Sequence, residues 1–264
     1  VPKSTRYVMQ IDDAMIKTRE VTQWRGLHLF HYDHSSCSQK VRILMRELGI
    51  NFYSHPVNLM RGEQRSDWYL GINARGQVPV LIHDGAVHVE SNDIIQYLDQ
   101  TFAQEGSFLP TTDAEKKTLS SLMKLEEQLH QDLRVVTFTY LAPDLDNHAP
   151  AFDESLAFLG RFHSALTELE RMIESKHYLL GERITLADIS WFITLHRLDL
   201  AGYPFRLHQS LRSYLSRLRQ RSAFKTELAA GSLGVRVGAT IYRHFTRLFR
   251  HSLARDFQRW HNNQ

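Results

Sequence analysis

One cysteine, Cys37, stands among 264 residues. That excludes an internal disulfide framework and any cysteine-rich zinc module, and it fits a reducing, cytoplasmic setting. With 13 glycines and 7 prolines the chain is neither collagen-like nor low-complexity. No run of about 18 apolar residues occurs, so nothing reads as a membrane-spanning helix. The first twenty residues mix both charge signs without an apolar stretch and do not read as a secretory leader. A Walker-type phosphate loop, a GxGxxG and a GxSxG are all missing.

What is present is an ordinary globular balance, 42% hydrophobic and 23% charged, long enough for one large domain or two modest ones. The net charge of +3 is uneven: residues 232–264 hold six arginines against one acid, which leaves the rest of the chain at −2. The basicity therefore belongs to the tail, and a nucleic-acid partner for the body is not indicated.

Along the chain, LHLFHY (27–32) alternates like a strand. In SSCSQKVRILMRELGI, Val41, Leu44, Met45 and Leu48 make one helical face closed by Gly49. NFYSHPVNL (51–59) reads as a second strand, completing a βαβ unit. QVPVLIH (77–83), Asp84-Gly85 and AVHVE (86–90) form a hairpin, after which Ser91 caps a helix with Ile94, Ile95 and Leu98 inward. Beyond GSFLPTTD (106–113) only helical periods remain. Leu122, Leu125, Leu129, Leu133 and Val136 form one stripe. Leu156, Leu159, Phe162, Leu166 and Leu169 form another, and Leu211, Tyr214, Leu215 and Leu218 a third. The expected layout is an N-terminal extension (1–26), an α/β domain (27–103), an all-helical domain (113–231) and a basic amphipathic tail (232–264).

Three places suit chemistry. Ser35-Ser36-Cys37-Ser38 ends a strand and opens a helix, where free N–H groups and the positive helix end favour an anion. A hydroxyl there can donate to a bound thiolate and lower its pKa; Cys37 in the same place could be a depressed-pKa nucleophile itself. The plainer alternative is that these serines only cap the helix. Val78-Pro79 begins a strand with a residue that cannot donate to the ladder. A cis bond would turn Val78 toward an extended peptide ligand, whereas a trans proline on an edge strand would do nothing. Glu90-Ser91, at a strand-to-helix junction, can hold an ammonium through the acid and a carboxylate at the helix start, or be a cap beside a solvated acid.

Taken together, SSCSQKVRILMRELGI, NARGQVPVL and VESNDIIQYL resemble the glutathione-binding domain of the cytosolic glutathione transferases. The SSCS–VR stretch is most similar to the zeta class, and SDWYLGINARGQVPVLIHDGAVHVES to bacterial transferases of the β-etherase type. YLLGERITLADISWF (178–192) resembles the second-domain motif of that family, with Thr185 and Asp188 as a capping box. The resemblance spans about residues 27–220 and implies a thioredoxin-like domain followed by an all-helical domain, usually as a homodimer. It implies glutathione as cosubstrate, with Ser35 facing the sulfur and Ser36 and Cys37 in support. Val78, before a cis Pro79, would pair with the cysteinyl unit, and Glu90 and Ser91 would hold the γ-glutamyl end. Gln39-Lys40 and Glu90 depart from the zeta pattern and count against maleylacetoacetate isomerisation. The expected reaction is thiolate attack on a hydrophobic electrophile: conjugation, ether cleavage, dehalogenation or isomerisation. A different reading is a glutathione-binding scaffold or sensor attached by its tail.

Three lesser features complete the reading. His28, His31 and His34 recur every third residue, but a strand splits them between faces, so packing rather than metal binding is expected. Phe138 and Tyr140, near the end of the first long helix, are the expected wall of the electrophile pocket. In the tail, Ile241, Phe245, Leu248, Phe249, Leu253, Phe257 and Trp260 share a helical face. It is expected to dock on the helical domain or across a dimer rather than on a membrane surface.

Overall fold

The computed structural model describes residues 9–103, 106–141, 157–230 and 252–262. It divides into a unit of Val1–Leu109 and a unit of Pro110–Gln264. In the first unit, β1 (Leu27–His31), β2 (Tyr53–Pro56), β3 (Val80–His83) and β4 (Ala86–His88) make a mixed sheet in the order β2-β1-β3-β4. β1 runs parallel to β2, with α1 (Ser36–Glu47) as the crossover, and antiparallel to β3. Between β2 and β3 lies a short helix, α2 (Asp67–Leu70); α3 (Ser91–Phe102) follows β4 and packs against α1.

Strands β2 and β3 are both shorter than the segments that read as strands in the sequence. β2 stops at Pro56, and β3 begins only after Pro79, because proline brings no N–H to a ladder. The β3–β4 turn uses Asp84 and Gly85 at φ 49° and 85°, the two left-handed positions of a primed hairpin turn. Glycine is required there twice over: a Cβ on Gly85 would lie 2.2 Å from the Thr22 carbonyl oxygen.

That contact belongs to the segment preceding β1, which packs closely on the sheet. Ile16 and Val21 join Phe30, Val57, Tyr69, Val80, Ile82 and Val87 in one core on the face away from α1 and α3. Ile11 N–H bonds to Val87 C=O and Val89 N–H to Met9 C=O, so the segment also covers the outer edge of β4. A Cβ on Gly71 would lie 2.1 Å from Thr18 Oγ1, a second close approach by the same segment.

The second unit contains α4 (Asp113–Gln128), α5 (His130–Val136), α6 (Ala157–Ile173), α7 (Leu186–Ala201), α8 (Gln209–Gln220), α9 (Ser222–Ala230) and α10 (Leu253–Asn262). The single long stripe read from Leu122 to Val136 is interrupted at Leu129. Leu129 keeps right-handed helical dihedrals, so Leu133 and Val136 still point inward. A π-helical turn, Thr137–Leu141, continues α5. Helix α7 is buried nearly all round. Its Trp191 Nε1 donates to the Leu122 carbonyl at 3.0 Å, and Ser190 and Thr194 hydroxyls donate to buried Glu126. Its start is the Thr185–Asp188 box. Asp188 accepts from Thr185 N–H at 2.6 Å and Thr185 Oγ1 at 2.9 Å, and additionally from Leu179 N–H and the Tyr214 hydroxyl.

Candidate functional site

Strand direction brings the three chemical stretches to one end of the sheet. β1 runs toward Ser35; Phe30 pairs with Val80, so Val78-Pro79 lies just past the same end of β3. Leu81 pairs with His88, which carries β4 to Glu90 at that end as well.

Ser35 is the N-cap of α1: its Oγ accepts the Ser38 N–H at 3.2 Å. Capping occupies a lone pair and leaves the hydroxyl proton to donate outward, so the cap reading and the thiolate-facing reading are compatible. Ser36 is buried, whereas Ser35 and Cys37 are half-buried in the first turn. The preceding loop is tied down by Arg42, which sequence reading did not single out. Its guanidinium donates to Tyr32 C=O at 3.3 Å, to Asp33 C=O at 3.0 Å and to His31 Nδ1 at 2.9 Å. His31 Nδ1 is therefore an acceptor, which leaves Nε2–H to donate to Ser54 Oγ at 2.7 Å. Burial, then the Arg42 charge, pull the His31 pKa down to about 4. Asp33, 3.8 Å from Nδ1, opposes this weakly because it is largely exposed to water.

The Val78–Pro79 peptide is cis. Among the described residues no backbone hydrogen bond uses the Val78 N–H or C=O, while neighbouring Gln77 C=O accepts from Tyr69 Oη at 2.8 Å and Asn73 Nδ2 at 3.0 Å. The loop is thus anchored through Gln77, and beside it Val78 presents a backbone edge that an extended peptide can complete.

At the third place, the structure corrects the assignment of the cap. Ser91 is the first residue of α3 rather than its cap; the cap is Glu90, whose side chain makes no capping bond. The reason is Glu90, whose φ of 65° is in the left-handed region, so the chain turns one residue early. A non-glycine residue held there is uncommon and gathers at functional positions. Glu90's carboxylate is in contact with Arg75 Nη2, a partner that lies 15 residues away and was not anticipated. The only sequence trace of Arg75 is its place in NARGQVPVL.

The two pocket candidates separate. Phe138 is half-buried beneath the Arg134 guanidinium, 5.5 Å from its ring centroid. Tyr140 is buried in the helical unit, and its hydroxyl donates to Asp256 Oδ2 at 2.8 Å; it is core, with no pocket wall to offer. Of the histidine triplet only His28 and His31 lie on β1, on opposite faces; the strand ends at His31, and His34 falls in the turn that follows. His28 Nδ1 meets His55 Nε2 at 3.0 Å, and His31 lies on the α1 side. In the tail, Leu253 and Phe257 are buried against the helical unit and Trp260 packs on Gly160. Ile241, Phe245, Leu248 and Phe249 lie outside the described residues. Among the described residues no helix is long and apolar enough to cross a membrane.

A thioredoxin-like sheet unit with two helix starts at one end, followed by an all-helical unit, defines the class of protein. Residues 29–106 match the family model described as "Glutathione S-transferase, N-terminal domain", and residues 111–225 that described as "Glutathione S-transferase, C-terminal domain". The chain is 30% identical over 199 residues to the zeta-class glutathione S-transferase of Euphorbia esula, covering 70% of this chain and 84% of that protein. It is 38% identical over 91 residues to Protein LigF of Sphingobium sp. (strain NBRC 103272 / SYK-6), covering 34% of this chain and 35% of that one. In fold it is similar to glutathione transferase F7 from Populus trichocarpa, with a TM-score of 0.71 at 21% identity over 78% of this chain and 100% of that one. The chain belongs to the glutathione S-transferase family. It is a glutathione transferase, with glutathione as its cosubstrate.

Proposed function

We propose that Ser35 activates glutathione, its hydroxyl donating to the thiolate at the α1 start while Ser36 and Cys37 supply the first turn of the helix. The observation that carries this is the Ser35 cap, which directs Oγ to Ser38 N–H and leaves the hydroxyl proton for a ligand. Val78 pairs through its N–H and C=O with the cysteinyl unit of glutathione. Ser91 and the α3 start receive the γ-glutamyl carboxylate, and Glu90 its ammonium, the acid being kept in place by Arg75. The thiolate then attacks an electrophilic carbon of a hydrophobic substrate, and the protein contributes orientation and charge stabilisation. Similarity to a zeta-class enzyme and to LigF leaves conjugation, ether cleavage, dehalogenation and isomerisation as the range of outcomes. Phe138 is retained as a pocket residue. The working form is a cytoplasmic homodimer, with functional domains 27–103 and 113–231.

The test is calorimetric glutathione binding at two pH values spanning the thiol titration. Wild type binds more tightly at the higher pH, and Ser35→Ala loses that gain, about tenfold per unit of thiol pKa. Cys37→Ser retains both binding and conjugation. Activity lost in Cys37→Ser but kept in Ser35→Ala would transfer the chemistry to the cysteine.

A further inference from the structure

On the sheet face opposite α1 and α3, and sharing no residue with the glutathione site, a cavity of about 380 Å³ opens beside β2. Phe30, His55, Trp68 and Tyr69 supply its rings, and among the described residues Glu63 is the one formally charged member of the lining.

The rings are fixed in place. Phe30 stacks on His55 at 4.7 Å between centroids and lies 5.8 Å from both Trp68 and Tyr69. Trp68, 41% exposed, is held from behind by the segment before β1: its Nε1 donates to Glu20 Oε1 at 2.7 Å, and its carbonyl accepts from Thr18 Oγ1 at 2.6 Å. Trp24 of that segment stacks on His55 at 5.1 Å. The family match begins at residue 29, so this wall is organised by residues that precede it.

Ring faces are electronegative and the carboxylate adds a full negative charge, while among the described residues no Lys or Arg lines the cavity. Burial, then the neighbouring His28, lower the His55 pKa, so that ring adds no positive charge near neutral pH. Glutathione and its conjugates are anions and are poorly matched here. A cation with an apolar surface is matched by the exposed Trp68 ring and the Glu63 carboxylate.

We propose that this cavity binds a small alkylammonium ligand, with the exposed Trp68 ring and the half-buried His55 ring against its methyl or alkyl groups and Glu63 against its charge, over a floor of buried Phe30 and Tyr69. Glu63 retains acceptor capacity for it: only its Oε2 is committed, to Asn58 N–H at 2.6 Å.

Calorimetric titration of the full chain with choline, and with its uncharged isostere 3,3-dimethylbutan-1-ol, tests this. Choline is expected to bind saturably and the alcohol about tenfold more weakly or worse. Glu63→Gln keeps an acceptor for Asn58 and is expected to weaken choline about tenfold while leaving glutathione binding unchanged; Trp68→Ala should do the same. No saturation by about 50 mM choline overturns the proposal, as does equal affinity for the alcohol. So does a Glu63→Gln protein that binds glutathione normally and choline undiminished. If a variant fails to fold, the wild-type comparison of the two ligands still decides.

Discussion

At Arg42 one guanidinium serves three acceptors of the loop that delivers Ser35, and it does so from an almost fully buried position. A charged donor is hard to replace there, because two backbone carbonyls would lose their partner together. Arg42→Met keeps the apolar stem and removes the fork. The expected result is a stability loss of about 2 kcal/mol in urea unfolding and a kcat/KM for conjugation lowered about tenfold. A purely structural role would lower stability and leave the kcat/KM of the folded protein unmoved. Loss of the neighbouring charge should also raise the His31 pKa above about 4, readable by NMR. Those outcomes together would make Arg42 a positioning residue. It was visible in the sequence only as part of the SSCS–VR stretch, since its partners lie 9 to 11 residues back across a strand-to-helix turn.

Among the elements, α10 shows most clearly how a helix is assigned a place. The spacing of Leu253, Phe257 and Trp260 identifies an apolar face, and home docking is what that face does. What holds it could not be read locally: Asp256, on the same turn, is buried and pairs with Tyr140, 116 residues earlier. Phe257 additionally packs on Tyr203 and His163, at 5.2 and 5.3 Å between centroids. Tyr140→Phe leaves the Asp256 carboxylate buried without its donor. A loss of about 1–3 kcal/mol is expected, with faster proteolysis around residues 252–262 as the readout. Unchanged proteolysis would mean that the aromatic contacts alone hold the helix. The same tertiary pairing explains why Tyr140, read as a pocket residue from its place near a helix end, belongs to the core.

For the whole molecule, acid stability follows from histidines that folding keeps neutral. His31 and His88 are both buried with pKa values pulled down to about 4, His31 by burial and then Arg42, His88 by burial and then His83. Both ring nitrogens of His88 are without hydrogen-bond partners among the described residues, so a charge there would go uncompensated. Unfolding releases these rings to an ordinary pKa near 6.5. Because the folded values are depressed, their contribution is complete above pH 6.5 and is lost as the pH falls toward 4. Urea unfolding at pH 7 and pH 5 should therefore differ by about 2 kcal/mol from each histidine, in favour of pH 7. His88→Phe should shrink the difference, and an unaltered difference would remove His88 from the account.

The sequence by itself determined the order of strands and helices, the helix starts at Ser35 and Thr185, the Asp84-Gly85 turn and the family. These are products of local forces: side-chain alternation, capping hydrogen bonds and backbone preference all act within a few residues. Tertiary structure alone decided that Ser35, Val78 and Glu90 meet at one end of the sheet, because pairing direction is set between strands far apart in the chain. It also decided that Glu90 takes a left-handed turn beside Arg75, and that the residues before β1 brace Trp68 beside a cavity. Nothing local requires those contacts. They form because burying Ile16, Val21 and Phe30 in one core brings distant segments together, and the polar groups carried with them find partners at close range.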